Sequence, residues 1–102
     1  MKLRDMAHSR TGDKGNTCNI SVIAYDLRDY PLLERQVTEA RVKEFMGRLV
    51  RGPVVRHALP ELGALNFVLH DALAGGVTRS LALDAHGKSF SSALLDMEIE
   101  KE

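Results

Sequence analysis

Residues 38–59 read TEARVKEFMGRLVRGPVVRHAL, and their change of period decides the fold class. Val42, Phe45, Met46, Leu49 and Val50 recur at helical spacing, so one apolar stripe is expected to pack inward along a helix over 38–50. Thr38 is its expected N-cap. Glu39 with Lys43, and Glu44 with Arg48, are Glu-first pairs one helical turn apart on the solvent face. Gly52-Pro53 stops the helix, and 54–59 then alternates as a strand ended by Pro60.

Working outward, 63–69 offers a further strand with Leu65, Phe67 and Leu69 on one face. Upstream, 18–25 is rich in branched apolar residues and should be a strand whose Ile20, Val22 and Ala24 face the core. Residues 2–9 alternate loosely as a strand, and RTGDKGNT, 10–17, reads as the loop joining the two. Asp29-Tyr30-Pro31 opens a helical turn. After Gly75-Gly76, Val77, Leu81 and Leu83 share a strand face over 77–84, with Arg79 in register beside them. Phe90, Ala93, Leu94 and Met97 close the chain as a helix. A hairpin at 85–87 leading into a strand is the alternative to that last helix. The order predicts an α+β two-layer sandwich of ferredoxin-like type, its helices on one face of a mainly antiparallel sheet. The sheet should contain 18–25, 54–59 and 77–83, with Phe45, Met46 and Leu49 packed against it.

Composition removes several functions. A chain of 102 residues is expected to form one domain, spanning 1–102. Fourteen Lys and Arg balance fourteen Asp and Glu, so no basic field draws in a nucleic-acid backbone. No window approaches the ~18 apolar residues of a membrane span. The N-terminus has no apolar signal-peptide core and Cys18 has no partner for an internal disulfide, so a cytoplasmic location is expected. Zero net charge leaves little repulsion between copies, and a homo-oligomer is expected when the chain is alone.

The polar residues that interrupt these patterns are the site candidates. In Arg10-Thr11-Gly12-Asp13-Lys14-Gly15-Asn16 the glycines allow backbone N–H groups to converge on an anion. Arg10 and Lys14 add charge, and Asp13 and Asn16 can orient them. A plain hairpin connector stays open as the other reading. Asn19 and Asn66 lie in strands, where Asn is disfavoured and is more often a tie for a strand end. Lys88 stands at a helix start, beside free N–H groups that also suit an anion. The four histidines lack metal-ligand spacing, Ser80 lacks a nucleophile frame, and neither metal nor cofactor is expected. Cys18 is expected to be a small buried hydrophobe.

Together AHSRTGDKGNTCNISVIA (7–24), LPELGALNFVLHDALAGGVTRSLALDAHGK (59–88) and LLDMEIE (94–100) resemble the small C-terminal domain of the acyclic-terpene-utilisation, AtuA-like, family. The resemblance rests on R-x-G-D-K-G-N, N-F-x-L, G-G-V-x-x-S and D-x-x-G-K occurring in that order, and it runs from about Met6 to Ile99. It implies a ferredoxin-like fold that normally follows a much larger domain. It also implies a link to the breakdown of acyclic terpenes and branched acids through CoA thioesters. Here the small domain is expected as a separate chain with a large AtuA-like subunit as partner and an acyl-CoA or carboxylate as ligand. The residues carried over as ligand- or anion-binding candidates are Arg10, Asp13, Lys14, Asn16, Asn19, Asn66, Arg79 and Lys88. Whether the chain itself catalyses is open. A homo-oligomeric binding module without chemistry is the alternative.

Overall fold

Alternating burial along two central strands organises the molecule. The computed structural model describes residues 1–14, 17–47, 50, 52–70 and 94–100, with Asp13 and Lys14 described by their backbone. After a 3-10 turn at Leu3–Asp5 come β1 (Ala7–Lys14), β2 (Thr17–Ala24), α1 (Tyr30–Gln36), α2 (Glu39–Met46), β3 (Val54–Leu59) and β4 (Ala64–Leu69). The strands form one antiparallel sheet in the order β1-β2-β4-β3, and the two helices lie against one face. This is the expected α+β ferredoxin-like arrangement. Cys18, Ile20 and Val22 on β2 and Leu65, Phe67 and Leu69 on β4 form the inner face. Leu33, Val42 and Met46 from the helices, Val37 from the link between them, and Leu94, Met97 and Ile99 from the C-terminal segment, fill the core beneath them.

The helix expected over 38–50 is shorter. Thr38 caps it as anticipated, its hydroxyl accepting from the Arg41 amide at 3.2 Å. It ends at Met46 because Gly47 takes a φ of 56°, a region that side-chain-bearing residues avoid. Arg48 and Leu49 lie outside the described residues. The Glu39–Lys43 pair does not form. Glu39 instead accepts from the backbone amide of Arg56 at 2.7 Å, and Lys43 donates to the carbonyls of Val50 and Gly52. Phe45 is also a correction, being 41% exposed. With α2 ending at Met46, Tyr30 and Leu33 of α1 and Val37 just after it occupy core volume beside Val42 and Met46.

The N-terminal region differs too. Residues 2–5 do not form a strand. Leu3 and Arg4 donate their amides to the carbonyls of Met97 and Leu95, at 2.8 and 3.0 Å, which fastens both chain ends together. Asp96 pairs with Arg4 and, at 3.8 Å, with Lys2 across the same junction. The hydrogen bond from Arg4 holds the Asp96 carboxyl below its ordinary 3.8. Residues 10–14, expected in a loop, belong to β1, where Thr11 pairs with Ile20 and Lys14 with Thr17. Pairing with a strand as β-prone as β2 overrides the weak propensity of Gly12 and Asp13. The expected strand over 77–83, the turn at 85–87 and the start of the last helix lie outside the described residues; Leu94 and Met97 are buried as anticipated. The strands expected over 18–25 and 54–59 are β2, which ends at Ala24, and β3, and they share the sheet with β4 between them.

Two substitutions test this core. Phe67→Ala is expected to cost about 3–5 kcal/mol in urea denaturation, and Phe45→Ala about 1 kcal/mol or less. Equal losses would contradict the two-helix packing.

Candidate functional site

Among the described residues, no layer covers the face of the sheet turned away from the helices. Its rows follow from the register. Arg10 on β1 lies opposite Ser21 on β2, Ser21 opposite Asn66 on β4, and Asn66 opposite His57 on β3. One polar side chain from each strand therefore stands in a single line across the sheet. Arg10 and His57, on the edge strands, are exposed; Ser21 and Asn66, on the central strands, are half-buried. The next row along comprises Gly12, Asn19, Val68 and Val55, and the row on the other side comprises His8, Ile23, Ala64 and Leu59. His8 stacks on Tyr25 with ring centroids 5.4 Å apart.

Charge distinguishes this face from the rest of the described surface. None of the described side chains in the three rows is acidic. Elsewhere arginines are engaged. Arg4 pairs with Asp96 and Arg28 with Asp26 at 2.7 Å. Arg41 donates to the carbonyls of Gln36 and Glu98, at 3.1 and 2.8 Å. Arg56, on the inner side of β3, donates to those of Glu34 and Val37, at 2.7 and 2.9 Å. Arg10 has no such partner among the described residues. A guanidinium left free beside a hydroxyl and an amide is a set of donors facing solvent.

Of the candidates from sequence, Arg10, Asn19 and Asn66 share this face, although Asn19 is exposed rather than tying down a strand end. Asp13 and Lys14 are placed by backbone pairing, opposite Cys18 and Thr17. Asn16, Arg79 and Lys88 lie outside the described residues. A model of the AtuA ferredoxin-like domain matches residues 1–100. The chain belongs to that family. No curated protein and no solved structure matches it significantly. In this AtuA ferredoxin-like domain, Ser21 and His57 were not singled out by sequence. The signal was present, since each is a polar residue on the alternate side of a strand with an apolar inner face. Joining them to Arg10 and Asn66 required the register.

The row is suited to binding. Asn66 separates Ser21 from His57, leaving their backbones roughly 9.6 Å apart, so the two are not arranged as nucleophile and base. Among the described residues, the groups whose titration the fold displaces lie elsewhere. Arg28 lowers the Asp26 carboxyl to about 2 through its side-chain hydrogen bond, and burial raises the Tyr30 hydroxyl. A cleft of about 360 Å³ between α2 and the C-terminal segment contains Arg41 but also Glu44, Asp96 and Glu98, which repel an anion. Among the described residues, no group of His, Cys, Asp and Glu is assembled to hold a metal ion. No described helix is long and apolar enough to cross a membrane.

Arg10→Met is expected to change stability by no more than about 0.5 kcal/mol, because no described contact is lost. Arg56→Met strands two carbonyls at the end of α1 and is expected to cost about 2 kcal/mol or more. Thermal or urea denaturation of both variants checks the contrast. Comparable losses would mean that Arg10 is a structural residue.

Proposed function

We propose that the chain is the accessory small component of a two-component catabolic enzyme acting on acyl-CoA or carboxylate intermediates of terpene or branched-acid breakdown. It supplies a polar anion-binding surface to an active site completed by a large AtuA-like subunit, in the cytoplasm. The observation that carries this reading is Arg10, exposed and without a partner among the described residues, in a polar row on a face without described carboxylates. An exposed arginine beside neutral donors recruits a negative charge at little cost to the fold. Asp13, Lys14, Asn16, Arg79 and Lys88 remain part of the proposal as further contributors to that surface.

A second observation bears on association. Tyr25 and Leu62, each 67% exposed, stand with Leu27 and Leu59 at one end of the sheet, and Leu27 reaches the Gly63 turn. Exposed apolar side chains gathered in this way mark a contact surface. The large subunit is the occupant we assign to it. Self-association through the same end is the alternative, a homo-oligomeric binding module without chemistry.

Sedimentation of this chain mixed with the large AtuA-like subunit tests the reading. A mixed complex is expected, lost in Leu62→Asp, together with turnover of an acyl-CoA substrate that the large subunit alone does not support. Arg10→Met is expected to retain the complex and lower kcat/KM at least about tenfold, the scale of one charge-assisted hydrogen bond. A chain that sediments only with itself, and leaves the large subunit's turnover unchanged, would support the homo-oligomeric module instead.

A further inference from the structure

We infer that the open sheet face binds the carboxylate group of a small aliphatic acid, with Arg10, Ser21 and Asn66 holding the head group; the inference rests on the anion-binding reading above and specifies its ligand. The number and kind of charges argue for this class. Within the row of Arg10, Ser21, Asn66 and His57 the one permanent positive charge is Arg10. The titratable groups beside it are His8 on β1 and His57 on β3, and the described parts of β2 and β4 contribute none. One fixed cation with neutral donors matches one negative charge. The planar guanidinium fork fits the two oxygens of a carboxylate, and the Ser21 hydroxyl and Asn66 amide lie in the same row to donate further.

The surroundings of the row fit the rest of such a ligand. Same-face neighbours along a strand are about 6.6 Å apart. A few carbons leaving the head group therefore reach Val68 and Val55 on one side, or Ile23 and Leu59 on the other. Aliphatic side chains flanking a polar row suit a charged head on a hydrocarbon body. Gly12 adds an approach. It follows Arg10 on the same face of β1, and a Cβ built there meets no atom within 4 Å, so the space beside the guanidinium is clear.

The test is ¹⁵N–¹H NMR of the full chain titrated with hexanoate, with hexanol, inorganic phosphate and coenzyme A as separate arms. Hexanoate is expected to shift the amides of Arg10, Ser21 and Asn66 saturably, while hexanol does not. Arg10→Met should weaken hexanoate at least about tenfold. Arg28→Met, which removes an ion-paired arginine off this face, should leave binding unchanged. Gly12→Val fills the open space with a strand-favouring side chain. It should weaken hexanoate while the urea midpoint stays equal or rises. Hexanoate shifts that are absent, lie off this face or survive Arg10→Met would overturn the inference. So would tighter binding of phosphate or coenzyme A than of hexanoate at these residues. Loss of hexanoate binding with an intact, active complex with the large subunit overturns this inference alone. Hexanoate binding without any such complex overturns the accessory role and leaves the site standing.

Discussion

Ile20 faces Phe67 across the β2–β4 ladder, with Cys18–Leu69 and Val22–Leu65 on either side, and all six side chains are fully buried. The rest of the molecule depends on that register. Side chains alternate along a strand with a period of two, so a slip of one residue would bring Asn19, Ser21 and Asn66 into the core. Burying those amides and that hydroxyl without partners costs several kcal/mol, which makes the register well determined. The same alternation leaves the polar members of both strands on the opposite face. The core and the open face are consequences of one pairing.

The edge strands extend this division, and their two arginines illustrate it. Arg56 lies on the inner side of β3, where an unpaired charge would be costly, and its guanidinium is satisfied by two carbonyls around the end of α1. Its backbone amide is held by Glu39, so β3 and both helices are fastened at one position. Arg10 lies exposed on the outer side of β1, where having no partner among the described residues costs the fold little. β1 is less committed to the core than β2. Beyond Ala7 its inward residues are Ser9 and Thr11, whose enclosed hydroxyls have no hydrogen-bond partner among the described residues.

Much of this was legible in the sequence where burial imposes a period. The alternation of Ile20 and Val22, and of Leu65, Phe67 and Leu69, located β2 and β4, and Thr38 marked the start of α2. The readings that failed depended on tertiary context. Gly12 and Asp13 looked like loop residues because strand pairing with β2 is invisible in local propensity. Phe45 fitted the helical stripe, but the break at Gly47 and the packing of α1 left it partly exposed. For the candidate site, Arg10, Asn19 and Asn66 stood out as polar residues in strand-like surroundings. That Arg10 and Asn66 share a row with Ser21 and His57 could not be read. A one-dimensional pattern says which face a residue occupies but not which residue lies opposite.

One register builds the polar row and the core together, and inter-strand nuclear Overhauser contacts test it directly. Backbone contacts should connect Ser21 to Arg10 on one side and to Asn66 on the other, with Asn66 in turn connected to His57 as its directly opposite residue. Contacts that instead pair Ser21 with Thr11 and Phe67, a shift of one residue on both neighbours, would contradict the account, because they would separate the polar row and turn its members toward the core.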